Sequence, residues 1–117
     1  MRAEAQAHVD TINDALALLR RFLDWDRALR RLDELNARVE DPTLWDDAKK
    51  AQEVMRERRR LDEAITATRA IEEELTGTAE LIELAEMEGD DALATESVQS
   101  LAELARRAEG DKVKALL

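Results

Sequence analysis

Apolar side chains recur at every third or fourth residue along almost the whole chain, and this spacing constrains the fold more than any other feature. The first stripe runs through Val9, Ile12, Leu16, Leu19 and Leu23. Such spacing places the apolar side chains on one face of an α-helix. The 117 residues include only 3 Gly and 1 Pro, so few positions interrupt helices. The sequence therefore predicts an all-α protein.

The phase of this stripe shifts just before Trp25, which follows the previous apolar residue by only two positions. Asp24 and Asp26 lie at the shift, and aspartate is a favoured helix N-cap residue. We predict a break or kink within residues 22–26 and a second helix that runs to about Glu40. The apolar stripe of this second helix consists of Trp25, Leu29, Leu32, Leu35 or Asn36, and Val39.

The dipeptide Asp41-Pro42 is predicted to end the second helix. Proline cannot donate a backbone hydrogen bond, and it disfavours the α conformation in the residue before it. Asp46 or Asp47 can cap the next helix. That helix keeps the apolar spacing for roughly eight turns, and Gly77 is predicted to end it as the C′ residue. Two long helices joined by a short turn are predicted to pack as an antiparallel hairpin.

Two shorter helices complete the prediction. Thr78 is predicted to cap a short helix that ends at Gly89. Asp90 or Asp91 is predicted to begin the last helix, which Gly110 ends or frays. The apolar residues of the short helix are Leu81, Ile82, Leu84, Ala85 and Met87.

Together these segments predict an elongated antiparallel helical hairpin or bundle of four to five helices, two of them long. We expect residues 1–117 to form a single helical domain. Pro42 and the short later helices favour folding back within one chain, so a monomer is expected. The alternative is a self-associating coiled-coil scaffold, which the heptad-like spacing of the second and third helices would allow.

The charge of the chain limits its partners. There are 28 Asp and Glu against 18 Lys and Arg, which gives a net charge of −10. Residues 78–117 carry 4 basic and 10 acidic side chains, a net charge of −6. Acidic surfaces repel phosphate groups, so we predict no direct contact with nucleic acid. The negative end suits a basic partner, or serves only to keep the surface solvated.

Two absences in the sequence bear on location. The chain has no Cys, which fits a reducing cytoplasm. No apolar run approaches the ~20 residues that a membrane span requires, so we expect no membrane partner.

Residues for catalysis or metal binding are difficult to assemble. Glu4 and His8 lie four residues apart on one helix face, but His8 is the only histidine and a bundle metal site needs further ligands. Ser97 and Ser100 have no base nearby in the sequence. We predict no catalytic residue, no cofactor and no metal site, and the chain is not expected to be an enzyme. A metal-dependent bundle enzyme is a hypothesis that rests on Glu4 and His8 alone.

Two further groups of residues have alternative interpretations. Trp25 and Trp45 both flank predicted helix breaks, where a Trp either plugs the end of a bundle or anchors an interface.

The densest basic run is interspersed with acidic residues, so helical i,i+4 pairing is predicted instead of nucleic-acid contact. This run consists of Arg56, Arg58, Arg59 and Arg60.

Several short strings of the sequence resemble the amino-terminal domain of the bacterial peptide chain release factor 2 family. The most specific is Glu40-Asp41-Pro42-Thr43-Leu44-Trp45-Asp46-Asp47, which is followed by Lys50-Ala51-Gln52. Residues 22–26, 31–36 and 81–85 are similar to that family as well. The resemblance is most specific over residues 22–65.

The resemblance implies a cytoplasmic protein that ends translation at UAA and UGA codons and triggers hydrolysis of peptidyl-tRNA. The family's codon-reading Ser-Pro-Phe tripeptide and its Gly-Gly-Gln loop lie beyond this domain, and neither string occurs here. The chain would then be a cloned first domain or a truncated gene product, and its apolar end favours the former. In the family this domain faces the stalk base of the large ribosomal subunit, where release factor 3 also acts. The implied partners are therefore the ribosome and release factor 3.

Overall fold

A computed structural model describes residues 3–117 and shows four α-helices there. A 3-10 helix over Pro42–Asp46 joins the second helix to the third. No strand occurs within the described range, so the all-α prediction is confirmed. The helices are α1, Ala3–Leu23; α2, Trp25–Glu40; α3, Ala48–Glu88; and α4, Asp91–Leu116.

The chain divides into two compact units. The first unit consists of the chain through Phe22 together with Thr68–Leu117, and the second consists of Leu23–Ala67. Helix α3 contributes residues to both units and is continuous from Ala48 to Glu88. That the whole chain is one domain stays a prediction, because the compactness of a unit does not measure whether it folds independently.

The predicted break between the first two helices lies at Asp24. This residue has φ +56°, in the left-handed region that aspartate tolerates better than most other residues with a Cβ. Its carbonyl accepts a hydrogen bond from the N–H of Ala28 at 2.8 Å, so α2 begins directly after the break. The side chain of Asp24 makes no cap hydrogen bond. Asp26 lies in the first turn of α2, where the helix dipole favours a negative charge.

The second unit is an antiparallel hairpin of α2 and the first part of α3, as predicted. The apolar spacing allowed either Leu35 or Asn36 at one core position. Leu35 is fully buried and Asn36 is exposed, so Leu35 is the core residue. Trp25 is partly buried and packs against the core of this hairpin. The buried residues of the hairpin are Ala28, Leu35, Leu44, Ala51, Val54, Leu61 and Ile65.

Helix α3 does not end at Gly77, so the predicted C′ role of Gly77 and the predicted capping role of Thr78 are both wrong. Thr78 is buried on the face that also carries Leu75 and Ile82. The buried stripe therefore keeps its phase across the glycine. A glycine inside a helix costs about 1 kcal/mol relative to alanine, and continued packing of the stripe offsets that cost. The predicted third and fourth helices are one helix.

Helix α3 ends at Gly89, as predicted. Gly89 has φ +68°, and its N–H donates to the carbonyl of Glu86 at 3.3 Å. The next N–H, of Asp90, donates to the carbonyl of Ala85 at 2.9 Å, which completes a Schellman motif. The Asp90 carboxylate then accepts from the N–H of Leu93 at 3.0 Å and caps α4. Of the two adjacent aspartates, Asp90 is therefore the cap.

The first unit packs α1, the second part of α3 and α4 around a separate core. Helix α4 continues through Gly110 to Leu116, so the predicted end at Gly110 is wrong. Lys112 is half-buried and pairs with Glu109 at 2.9 Å, which supports the helix across the glycine. The buried residues of this core are Ala5, Ile12, Ala15, Leu16, Ile71, Ile82, Val98, Leu101, Leu104, Ala105 and Ala108.

Candidate docking surfaces

The turn between α2 and α3 is held by the side chain of Asp41. Its carboxylate accepts hydrogen bonds from the N–H and the Oγ1 of Thr43, at 3.0 and 2.9 Å. These hydrogen bonds, the backbone one first, lower the pKa of Asp41 below its usual value. At the other end, the Asp47 carboxylate accepts from the N–H of Lys50 at 3.1 Å. The turn is therefore constrained at both ends.

Adjacent residues of this turn face different environments. Leu44 is 7% exposed and belongs to the core of the hairpin, whereas Trp45 is 51% exposed. The capped turn thus presents the indole of Trp45 to the surface, and aromatic rings of this kind are frequent interface anchors. Trp25 lies against the hairpin core instead. That either ring contacts a partner stays a prediction.

Two arginines join the helices of the hairpin. Arg31 of α2 donates from Nε and Nη2 to the two carboxylate oxygens of Glu57 on α3, at 2.7 and 2.8 Å. Its Nη1 also donates to Glu34 at 3.1 Å. The hydrogen bond from Arg31 lowers the pKa of Glu57, and the hydrogen bond to Glu57 raises the pKa of Arg31. On α3, Arg58 donates from Nε to Oδ1 of Asn36 at 2.7 Å.

Within the basic run of α3, Arg58 departs from the predicted i,i+4 pairing because it bonds to Asn36 of α2. Glu57 and Arg58 make their hydrogen bonds across the hairpin to α2. A shallow depression of about 350 Å³ lies beside them. Its lining offers guanidinium, amide, thioether and carboxylate groups but no nucleophile paired with a base. The lining residues are Asn36, Met55, Arg58, Arg59 and Asp62.

The second part of α3 has a surface that sequence reasoning missed. The sequence places five apolar residues in one short helix, and the structure divides them between two faces. Ile82 and Ala85 are buried, whereas Leu81, Leu84 and Met87 are exposed. The sequence did indicate this surface through the number of apolar residues, because five apolar residues within seven positions cover more than one face of a helix.

The candidates for chemistry are not brought together into a site. Within residues 3–117, no group of three or more His, Cys, Asp or Glu side chains is placed to hold a metal ion, so Glu4 and His8 gain no third ligand there. Ser97 is buried in α4, and Ser100 is exposed. None of the helices in that range combines the length and the apolar character that a membrane span requires.

The relatives that match this chain include three that are each named "Peptide chain release factor 2". The one from Paramagnetospirillum magneticum is 50% identical over 117 residues, which are 100% of this chain and 32% of the relative. The one from Ruegeria sp. is 43% identical over 117 residues, 31% of the relative. The one from Phenylobacterium zucineum is 49% identical over 94 residues, 80% of this chain and 26% of the relative. The chain spans about a third of the length of the first relative and matches its amino-terminal part.

The PCRF domain model matches residues 28–117. This range includes most of α2, the turn that carries Trp45, and the whole of α3 and α4. The resemblance to release factor 2, which is most specific over residues 22–65, is confirmed and extends over all 117 residues. The chain belongs to the PCRF domain family.

Proposed function

We propose that the chain is the non-catalytic amino-terminal part of a bacterial peptide chain release factor 2. The supporting observation is the 50% identity over all 117 residues to the amino-terminal part of one such factor. The whole factor acts in the cytoplasm, ends translation at UAA and UGA codons, and promotes hydrolysis of peptidyl-tRNA on the ribosome. Codon reading and hydrolysis are assigned to other parts of the factor, because the chain has neither Ser-Pro-Phe nor Gly-Gly-Gln.

The role proposed for the chain itself is to dock near the stalk base of the large ribosomal subunit, where release factor 3 also acts. In this proposal the chain is monomeric and works as one domain over residues 1–117. Its net charge of −10 disfavours direct binding to ribosomal RNA. The proposed contacts are therefore with protein.

Trp45 is the residue of the hairpin that we propose as a contact. Half of its surface is exposed, and the hydrogen bonds of Asp41 and Asp47 hold the turn that carries it. A ring held in place before binding loses little conformational freedom in the complex. Trp25 packs against the core of the same hairpin, and its proposed role is to support the hairpin near the start of α2.

Binding of the 117-residue chain to purified ribosomal subunits tests this role. We expect binding to large subunits and not to small subunits, and we expect Trp45→Ala to weaken binding by about tenfold or more. Phe22→Ala is the matched control, because Phe22 is also an exposed aromatic residue and lies in the other unit. Equal binding to both subunits would contradict the proposal.

Deletion from a full-length factor tests the same role in translation. A release factor 2 that lacks the region equivalent to residues 1–117 is expected to keep codon recognition and to lose termination efficiency. Unchanged termination efficiency would count against a docking role.

A self-associating helical scaffold is the second candidate function. The observation that favours it is the exposed face formed by Leu81, Leu84 and Met87. Light scattering at micromolar concentrations separates the two candidates. A monomer contradicts the scaffold, and a dimer or larger oligomer contradicts the proposed monomeric docking module.

A further inference from the structure

The second part of α3 carries an exposed apolar face. Leu81, Leu84 and Met87 are 44%, 45% and 85% exposed. Their spacing of three residues places them along one side of the helix, away from the buried Ile82 and Ala85. Three adjacent exposed side chains of this size form a patch, unlike the single exposed apolar residues that are normal on protein surfaces.

The same side of the helix is also uncovered one turn before Leu81, at Gly77. Gly77 lies four residues before Leu81 and therefore on the same side. A Cβ at Gly77 would meet no atom within 4 Å. The ten residue steps from Gly77 to Met87 span about 15 Å along the helix. A face of this length can contact two to three turns of a second helix.

Both ends of this face carry a carboxylate, and the surrounding segment has no basic residue. Glu80 and Glu88 are exposed, and each lies four residues from Leu84 on the same side of α3. Residues 80–96 contain no Lys, Arg or His. The carboxylates of this segment are Glu80, Glu83, Glu86, Glu88, Asp90, Asp91 and Glu96.

We infer that this surface, which we name the α3 face, binds a basic amphipathic helix of a partner protein. The α3 face consists of Gly77, Glu80, Leu81, Leu84, Met87 and Glu88. The apolar side chains of the partner pack on Leu84 and its neighbours, and its Lys or Arg side chains pair with the carboxylates at the border. This inference deepens the proposed docking role and rests on it.

Charge favours a basic helix over RNA, an anionic lipid surface or a second copy of the chain as the partner of the α3 face. Phosphate groups of RNA or of anionic lipids would be repelled by a segment whose only charged side chains are carboxylates. A second copy of the chain would place like charges opposite one another, which disfavours association through this face. A basic helix removes both penalties, because it buries the apolar side chains and neutralises the carboxylates.

The test uses three synthetic helical peptides of equal length and the 117-residue chain. The first peptide has a leucine stripe at i, i+3, i+4 and i+7 with lysine on its flanks. The second replaces every lysine with glutamate, and the third replaces every leucine with glutamine. We expect only the first peptide to bind, with an affinity that falls as the salt concentration rises towards roughly 0.15 M.

Variants of the chain then locate the binding site. Leu84→Ala combined with Met87→Ala is expected to lower the affinity for the first peptide by about tenfold. Glu80→Gln combined with Glu88→Gln is expected to lower it several-fold at low salt and to reduce its dependence on salt. Circular dichroism of each variant checks that the helices are retained.

Matched controls remove similar groups elsewhere. Glu53→Gln combined with Glu63→Gln removes the same charge from the exposed surface of the second unit. Phe22→Ala removes an exposed apolar side chain in the first unit. Phe22 is distant from the α3 face, because Arg20 contacts Glu72, which lies about 18 Å before Leu84 along the helix. Both controls are expected to bind the first peptide as the unchanged chain does.

Two results would overturn the inference. One is equal loss of binding in the charge control and in the Glu80 and Glu88 variant, which would mean that only net charge matters. The other is binding of the lysine peptide without leucine as tightly as the first. Large-subunit binding separates this inference from the docking proposal: if Trp45→Ala weakens that binding and the Leu84 and Met87 variant does not, docking stands and the α3 face is not its site.

Discussion

Arg31 of α2 binds Glu57 of α3 through two hydrogen bonds, one to each carboxylate oxygen, at 2.7 and 2.8 Å. The two residues are 26 positions apart, so this pair links one hairpin helix to the other. A guanidinium can occupy both oxygens at once because its donors form a planar fork. Each side chain is about a third exposed, and screening by solvent therefore limits what the pair contributes to stability.

The geometry of this pair predicts that lysine cannot replace Arg31. We expect Arg31→Lys to lower the urea midpoint nearly as much as Arg31→Ala, because lysine cannot make both hydrogen bonds in this geometry. Arg30→Ala is the control, since Arg30 is exposed on the same helix, and its midpoint should match that of the unchanged chain. A midpoint unchanged by Arg31→Ala would show that the pair contributes nothing to folding.

The helices were predictable from the sequence wherever the phase of the apolar stripe and the residue types agreed. The stripe shifts phase before Trp25, and the break at Asp24 follows from that shift. At Gly77 the two signals disagreed: glycine followed by threonine is typical of a helix end, but Leu75, Thr78 and Ile82 keep one phase. The packing of that face decided the outcome, and continuity of phase was the better guide.

Two glycines of α3 and its C-terminal turn should respond to alanine in opposite directions. Gly77→Ala is expected to raise the free energy of unfolding by about 1 kcal/mol, because the site is helical and open. Gly89→Ala is expected to lower it by about 1 kcal/mol, since φ is +68° there. Chemical denaturation of both variants measures the difference. The same sign for both would contradict the helical assignment at Gly77.

The surfaces were less predictable than the helices. Exposure of Trp45 depends on the 3-10 helix at Pro42–Asp46, which turns Leu44 inward, and spacing alone did not predict that helix. Pairing of Arg31 with Glu57 depends on the register of two helices that are distant in sequence. Periodicity assigns a residue to a face of its own helix, but only packing shows what that face meets.

The core of the hairpin should be sensitive to loss of volume at Leu35. This side chain is 0% exposed, so Leu35→Ala removes buried methyl groups and leaves a cavity. We expect the free energy of unfolding to fall by about 3 kcal/mol. Leu84→Ala is the control for the same chemical change at an exposed position, with an expected effect within about 0.5 kcal/mol. Equal effects would contradict the burial of Leu35.

The turn at Asp41 should make stability depend on pH in the acid range. The folded pKa of Asp41 lies below the usual 3.8, because Thr43 donates two hydrogen bonds to the carboxylate. The resulting stabilisation is present above the unfolded pKa and is lost as the pH falls through the lowered folded pKa. Asp41→Asn should therefore lower Tm at neutral pH and make no difference near pH ~2.

The neighbouring carboxylate provides the control for this measurement. Asp46 lies in the same turn and is exposed, so Asp46→Asn removes a similar charge while the Thr43 hydrogen bonds remain. For Asp41→Asn, the difference in Tm from the unchanged chain should disappear at acid pH. For Asp46→Asn, it should not. Identical pH profiles for the two variants would show that the Thr43 hydrogen bonds are not responsible.

Fluorescence should distinguish the two tryptophans. With Trp25→Phe, the remaining Trp45 is 51% exposed, so its emission should be red-shifted and readily quenched by acrylamide. With Trp45→Phe, the remaining Trp25 packs against the hairpin core and should be quenched less. Trp45→Ala should cost about 1.5 kcal/mol of unfolding free energy, roughly half of the cost expected for a buried aromatic ring. A cost of roughly 3 kcal/mol or more, together with weak quenching, would show that Trp45 is buried and would remove it as the proposed contact residue.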